Sequence, residues 1–331
     1  MTESQNLKSK TEAIRITSAG GPEVMRLEEV EIEPPSADQV RVAIKAVGVN
    51  YIDIYQRSGR YVVEPPFTPG LEASGVVEAL GAGVESVSIG DRVAFVGHQG
   101  CYAKDANVDA SILIPLPDFI DFEMGAAFPL MGMTTQYLLT EYVKVRPDMV
   151  VLVHAAAGGM GTLLTQWASH LGARVIGTVS TDEKAEYALA NGCSSVINYS
   201  LKHFPAEIDR LTGNSKCELI IDGVGKATMT GNLDAVCRRG TIVIFGSASG
   251  PAEPISPNEF QKKSLRVCGG SLFDYLLSED EIRTRADDVL HGIKAGWLKL
   301  KINHRFKLAE AKDAHELLAA RNSTGKIILT D

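Results

Sequence analysis

The sequence predicts an α/β protein, a doubly wound parallel sheet preceded by a mainly-β domain. Three observations predict this. From Val150 onward, short apolar runs alternate with amphipathic stretches. The first of those runs passes directly into a glycine turn. The first 120 or so residues read instead as strands cut by glycine and proline.

The glycine turn organises the rest. Val150 to Gly161 reads VVLVHAAAGGMG, an unalternating apolar run suited to a strand covered on both faces, then small residues with Ala156, Gly158 and Gly161 spaced as in GxGxxG. Thr162 to Leu171 places Leu163, Leu164, Trp167, Ala168 and Leu171 at helical spacing, and Arg174 to Val179 supplies a second strand after Gly172. Strand, turn, helix and strand is the order a dinucleotide site needs. Glycines let the backbone approach a pyrophosphate, and the helix N-terminus offers unpaired N–H groups and a positive dipole end. Ala156, Gly158, Gly159, Met160 and Gly161 are therefore candidate cofactor contacts, against the alternative of an ordinary tight connection.

Taken in order, Glu12 to Ile16, Met25 to Ile32 and Gln39 to Val47 read as strands, the last alternating Val40, Val42, Ile44 and Ala46 with Arg41, Ala43 and Lys45. Asn50 to Arg57 reads as a short helix, and Gly70 to Leu80 and Val84 to Val96 as further strands. Helical spacing sets in at Asp121, with Phe128 to Val143 leading past Pro147 into the glycine-turn strand. Strands are then expected at Val150 to Val153, Arg174 to Val179, Ser195 to Ile197, Leu219 to Asp222, Thr241 to Phe245 and Leu265 to Leu272. Helices at Ile282 to Leu290 and Ala309 to Ala320, with strands at Ile302 to Phe306 and Lys326 to Leu329, are too few to fold alone and are expected to pack back onto the first domain.

With 331 residues, 45% of them hydrophobic and 22% charged, the chain can bury the cores of about two domains. The leader Met1 to Thr11 is polar and no apolar run approaches the ~18 residues of a membrane span, so a cytoplasmic protein without membrane association is expected. Five scattered cysteines without a CxxC pair fit reduced thiols, and a net charge of -8 argues against a nucleic-acid surface. An anionic cofactor then has to find its cations locally.

Several segments together carry a resemblance: GVNYIDIYQRSGRY (Gly48 to Tyr61), PGLEASGVV (Pro69 to Val77), GDRV (Gly90 to Val93), HAAAGGMG (His154 to Gly161), VINY (Val196 to Tyr199) and GKIIL (Gly325 to Leu329). From about Glu12 to the C-terminus the chain resembles the medium-chain dehydrogenase/reductase superfamily, and within it the zinc-less quinone oxidoreductases of the zeta-crystallin type. The resemblance implies a GroES-like catalytic domain over residues 1–128 and 273–331, a Rossmann NADPH-binding domain over 129–272, and a homodimer joined through the Rossmann sheet at Leu265 to Leu272. It further implies hydride transfer from NADPH to a quinone. Reduction of an α,β-unsaturated aldehyde, ketone or enoyl thioester is the alternative activity, and a cofactor-retaining binding or crystallin-like role is the non-enzymatic one.

Zinc-dependent relatives carry a cysteine where this chain has Asn50 and a histidine where it has Leu71, which leaves Glu72 and no expected metal. The second cofactor-domain strand ends at Ser180 rather than at an acidic residue, and Lys184 follows. A small residue leaves room for a 2'-phosphate and the lysine can pair with it, so NADPH is expected, with Asp182 and Glu183 as the discordant neighbours. By resemblance Tyr199 and Arg321 complete that pocket, and Asn50, Tyr55 and Thr134 meet the nicotinamide end. Tyr55 and Tyr61 are candidate proton donors, with wall packing as the bland alternative, and Asn50 also reads as a helix N-cap with Asp53 three residues on. Gly223, Val224, Phe245 and Gly246 sit at expected strand ends, where dinucleotide contacts or plain turns both fit.

Overall fold

The computed structural model describes residues 9–320 and 323–331. The chain divides into two compact units. One takes in residues up to Leu130, Leu276–Ala286 and Leu300–Asp331; the other takes in Met131–Tyr275 and Asp287–Lys299.

In the first unit, β1 (Ser9–Ile16) and β2 (Met25–Ile32) form an antiparallel pair. Next come β3 (Gln39–Val49), α1 (Tyr51–Arg57), β4 (Glu72–Leu80), β5 (Arg92–Val96), β6 (Asp105–Asp109), β7 (Leu113–Pro115) and α2 (Phe122–Ala127). Strand β3 is central, pairing antiparallel with β4 and with β6. Val40, Val42 and Ile44 are buried in a core shared with Phe95, Tyr102, Val108 and Leu113, and Arg41 and Lys45 alternate with them as expected, but Ala43 is buried too and from Ala46 to Val49 the strand is covered on both faces. Strand β6 is not among the expected strands, because DANVD is polar and short. Its pairing is supplied by β3, with Val108 opposite Val40. The run expected from Val84 shortens to Arg92–Val96, since Gly90 adopts φ 94° and Ser88 N–H closes a turn onto Asp91 Oδ2 at 2.8 Å.

The second unit begins within α3 (Pro129–Thr140). The helical stretch expected across Phe128 splits there, because Pro129 brings no N–H and ends α2 as it opens α3. Strands and helices then alternate: β8 (Val150–Val153), α4 (Gly159–His170), β9 (Arg174–Val179), α5 (Asp182–Ala190), β10 (Ser195–Asn198), α6 (Phe204–Thr212), β11 (Cys217–Asp222), α7 (Met229–Ala235), β12 (Val236–Ile244), α8 (Pro257–Gln261), β13 (Arg266–Gly269) and α9 (Glu279–Lys294). All six strands are parallel and lie in the order β10-β9-β8-β11-β12-β13. In sequence terms this is 3-2-1-4-5-6, the doubly wound Rossmann order, whose reversal point lies between β8 and β11. Every residue of β8 is buried, which explains its lack of alternation. Strand β13 is shorter than the expected Leu265 to Leu272, because a 3-10 turn at Leu272–Tyr275 takes its far end.

The chain then supplies β14 (Ile302–Lys307), α10 (Ala311–Ala319) and β15 (Lys326–Thr330) to the first unit. Strand β15 pairs antiparallel with β3 and parallel with β14. Leu276–Ala286 and Leu300–Asp331 group with the first unit, and Asp287–Lys299 groups with the second.

Candidate functional site

In the Rossmann unit the turn after β8 is built by close backbone approach. Ala155 takes φ 51° and Gly158 caps α4 in an extended conformation. A side chain at Gly161 would collide with the Ala155 carbonyl, and one at Gly177 of β9 would lie 2.6 Å from the Ala156 Cβ. Small residues are therefore required on both sides of the turn, and a helix leaves its first N–H groups to outside acceptors. Gly158, Gly159 and Met160 are half-buried at this end, while Ala156 and Gly161 are buried beneath them.

The strand ends around the reversal point are tied together by Asp222, a residue that sequence reasoning does not single out. Its Oδ1 accepts the N–H groups of Val224 (2.6 Å) and Gly225 (3.1 Å), and its Oδ2 accepts from Thr228 Oγ1 and Asn232 Nδ2, both at 2.6 Å. With its Nδ2 spent on Asp222, Asn232 presents Oδ1 to His154 Nε2 at 2.7 Å, and His154 Nδ1 meets Thr178 Oγ1 at 2.9 Å. Burial holds His154 below its usual pKa, so the ring is neutral, donates from Nε2 and accepts at Nδ1. This network fixes the loop carrying Gly223 and Val224. The Phe245 ring closes on Gly223, where a Cβ would lie 2.6 Å from its Cζ, and Gly246 packs against the Gly223 backbone. An acidic residue ending β11, next to Gly223 and Val224, which the sequence marks as candidate cofactor contacts, is the available signal.

At the end of β9, Ser180 is half-buried and Thr181 caps α5 by accepting the Lys184 N–H at 3.2 Å. Tyr199 is held beside this strand end, its N–H donating to the Val179 carbonyl at 3.0 Å, with a ring 52% exposed. Asp182, the discordant carboxylate, accepts from Asn198 Nδ2 at 2.8 Å. Ser180, Lys184 and Tyr199 thus share one sheet corner; Arg321 lies outside the described residues. Thr134 is buried in α3.

In the first unit Asn50 precedes α1, and its N–H donates to Asp53 Oδ2 at 2.8 Å. Its side chain is spent elsewhere. Nδ2 donates to Glu72 Oε1 at 2.8 Å and to the Gly48 carbonyl at 3.3 Å, while Oδ1 accepts from Lys326 Nζ at 2.8 Å. Lys326 also donates to Glu72 Oε1, and Glu72 Oε2 accepts the Leu130 N–H at 2.7 Å. Glu72 and Lys326 are fully buried, so this is an ion pair shielded from water. In sequence the run GKIIL carries resemblance alone; the role of its lysine depends on β15 lying beside β3.

A second buried chain continues from Asp53. Arg57 Nη1 donates to His315 Nδ1 at 3.0 Å, which leaves the His315 proton on Nε2, facing Tyr102 Oη at 2.9 Å. Tyr102 then donates to Asp53 Oδ2 at 3.0 Å. Asp53 Oδ1 is buried without a hydrogen-bond partner. Burial raises the Asp53 carboxyl to about 7, and burial together with Arg57 lowers His315 to about 3.

Helix α1 ends in a reversal that brings the tyrosines together. Gly59 takes φ 76°, and the Tyr61 N–H donates back to the Tyr55 carbonyl at 3.0 Å. The Tyr55 and Tyr61 rings consequently meet edge to face at 5.2 Å, and the Arg60 guanidinium lies 4.4 Å from the Tyr55 ring centroid.

The donor chemistry around Asn50 does not fit zinc. Leu71 offers no donor, Asn50 is a poor ligand already engaged through its amide, and both Glu72 oxygens are committed to Lys326, Asn50 and Leu130. Among the described residues no group of three His, Cys, Asp or Glu side chains is placed to hold a metal.

Residues 36–155 match the alcohol dehydrogenase GroES-like domain, and residues 159–288 match the zinc-binding dehydrogenase domain. The chain is 41% identical over 319 residues to a quinone oxidoreductase of Pseudomonas aeruginosa, covering 96% of this chain and 98% of that protein. It is 39% identical over 323 residues to a 2-haloacrylate reductase of a Burkholderia species, covering 95% and 97%. A crystal structure of Escherichia coli quinone oxidoreductase complexed with NADPH superposes with a TM-score of 0.94 at 36% identity, covering 98% of this chain and all of that one. The chain belongs to the quinone oxidoreductases of the medium-chain dehydrogenase/reductase superfamily.

Proposed function

We propose that this protein is an NADPH-dependent quinone reductase that works without zinc. The observation that carries the proposal is the glycine turn after β8, with its small residues in close approach; in the other unit, the Glu72–Lys326–Asn50 network leaves no donor set for zinc. The NADPH held by the Escherichia coli relative supports the choice of cofactor. The residues that would hold it are Ala156 and Gly158 to Gly161 at the pyrophosphate, Ser180, Lys184 and Tyr199 at the 2'-phosphate, with Arg321 by resemblance, and Gly223, Val224, Phe245 and Gly246 at the strand ends. Tyr55 and Thr134, and Asn50 through the acceptor capacity its Oδ1 keeps beside Lys326, remain our proposed nicotinamide-end residues. When bound, NADPH supplies a hydride.

Reducing a quinone to its hydroquinone takes that hydride and a proton. The charge developing on a quinone oxygen is delocalised over the ring, so the Lewis acid a simple ketone needs is dispensable. Tyr55 and Tyr61 are our candidates to donate the proton, which bulk water can also deliver to a hydroquinone anion. Positioning and exclusion of water are then the protein's main contributions. The test is steady oxidation of NADPH on adding a quinone, retained in chelator; catalysis that needs zinc, or none with any acceptor, overturns it.

Reduction of a conjugated alkene is the second reading, favoured by the 39% identity to a 2-haloacrylate reductase. A panel of quinones, enones and acrylates compared by kcat/KM separates the two. Among the described residues no helix is long and apolar enough to cross a membrane. We further propose a cytoplasmic homodimer formed along the edge strand β13, a reading that a monomeric mass by light scattering would refute.

A further inference from the structure

We propose that Asp222 is a positioning residue for the cofactor: it ends a buried hydrogen-bond chain that begins behind the glycine turn, and so fixes both the loop after β11 and the tautomer of His154. This rests on the reading of Gly223 and Val224 as cofactor contacts. The chain runs in one direction. Thr178 Oγ1 donates to His154 Nδ1, His154 Nε2 donates to Asn232 Oδ1, and Asn232 Nδ2 donates to Asp222 Oδ2. Thr178, His154, Asn232 and Asp222 are all buried, so bulk water does not replace a lost partner. Such a chain can end only on an acceptor. A carboxylate offers nothing else, and Asp222 spends its oxygens on Asn232, the Thr228 hydroxyl and the N–H groups of Val224 and Gly225.

The chain joins two parts of the cofactor site at the reversal point of the sheet, where open α/β sheets take their ligands. His154 stands directly before Ala155, whose φ of 51° shapes the glycine turn, and the His154 N–H donates to the Ile221 carbonyl at 3.2 Å. Beyond β11, the carbonyls of Gly223 and Val224 accept from the N–H groups of Ala248 and Ser249 at 3.0 and 2.8 Å. The loop after β12 is thereby bound to the loop that Asp222 holds. The glycine turn has separate support, in the close approach of Gly161 to Ala155 and of Gly177 to Ala156. Loss of the Asp222 charge therefore loosens the strand-end loops and spares the turn.

The experiment compares wild type with Asp222→Asn, and with Thr228→Val as a milder variant that removes one donor and keeps the charge. An amide at position 222 puts a donor where the chain needs an acceptor, and the buried groups stay paired only if the chain reverses, with the Asn232 amide turned over and the His154 proton moved to Nδ1. Proton–nitrogen correlation NMR of histidine-labelled protein, with His154 assigned by its loss in His154→Gln, should show the Nε2–H tautomer in wild type and Thr228→Val and the Nδ1–H tautomer in Asp222→Asn. Calorimetric titration of Asp222→Asn should show NADPH binding weakened about 10-fold, the lower end for lost hydrogen bonds to a charged group, because the new amide still accepts through its carbonyl. Adenosine 2',5'-bisphosphate, which lacks the nicotinamide half, should bind within about 2-fold of wild type. Fluorescence of Trp167 and Trp297, both in this unit, checks that each variant is folded. An Nδ1–H tautomer in wild type, a tautomer unmoved by Asp222→Asn, or equal weakening of both ligands overturns the proposal. A tautomer that switches while both ligands bind as in wild type overturns the reading of Gly223 and Val224 as cofactor contacts, and with it the cofactor role of Asp222.

Discussion

Replacing Lys326 by Met leaves the Glu72 carboxylate buried with only the N–H groups of Asn50 and Leu130 to satisfy it. Both charged side chains are almost wholly excluded from water, at 1% and 0% exposure, so neither can rehydrate without opening β15 from β3. Breaking a buried pair on one side costs about 3–5 kcal/mol, whereas removing both charges together is often close to neutral. Lys326→Met and Glu72→Gln should therefore each destabilise the first unit by that amount. The double substitution should recover at least about 2 kcal/mol relative to the sum, because the uncharged amide left in place of the Glu72 carboxylate still accepts from an N–H through its carbonyl. Equilibrium hydrogen exchange at the β3 and β15 amides in urea reads this unit directly. Both tryptophans, Trp167 and Trp297, lie in the Rossmann unit, so their fluorescence provides the internal comparison. Single variants within about 1 kcal/mol of wild type, or a double variant no better than the sum of the singles, would refute the reasoning.

Lys184→Ala should weaken NADPH binding about 10- to 100-fold and leave NADH nearly unchanged; equal weakening would mean that the lysine acts through the fold. Tyr55→Phe and Tyr61→Phe should lower kcat on quinones modestly, while one of them costs about 10²-fold on enones, where the proton is harder to replace; loss of quinone reduction with NADPH affinity intact would assign a stronger acid role. Metal analysis of the active protein should find no stoichiometric zinc, and one zinc per chain with activity lost on its removal would count against the closed Glu72 site. The raised Asp53 carboxyl contributes stability that is present below its unfolded pKa near 4 and is lost as pH rises toward 7; His315, lowered to about 3, contributes stability present above its unfolded value near 6.5 and lost as pH falls toward 3. The two slopes oppose one another between about pH 4 and 6.5. Asp53→Asn should therefore steepen the acid loss of stability in that window, and an unchanged pH profile in denaturant melts would exclude an uncharged Asp53.

Much of the Rossmann unit is legible in sequence because its determinants are local. A buried parallel strand shows as VVLV, the turn must use small residues where Ala155, Ala156 and Gly161 nearly touch, and the helices carry their own periodicity. The cap of α1, its glycine stop and the nearby tyrosines are local too, since Asn50, Asp53, Tyr55, Gly59 and Tyr61 lie within twelve residues of one another. Strand β6 is not legible, because a five-residue polar segment becomes a strand only when β3 offers it partners. Tertiary structure alone decided what Asn50 does. A residue that reads as a cap and a cofactor contact spends its amide on Glu72 and Lys326, which are 22 and 276 positions away. The same holds for Tyr102 and His315, joined across 213 positions, and for Asp222 and His154 at the reversal of the Rossmann sheet. A buried charge or polar group has to find its partner in three dimensions, and the spacing of residues along the chain carries no record of which partner the fold provides.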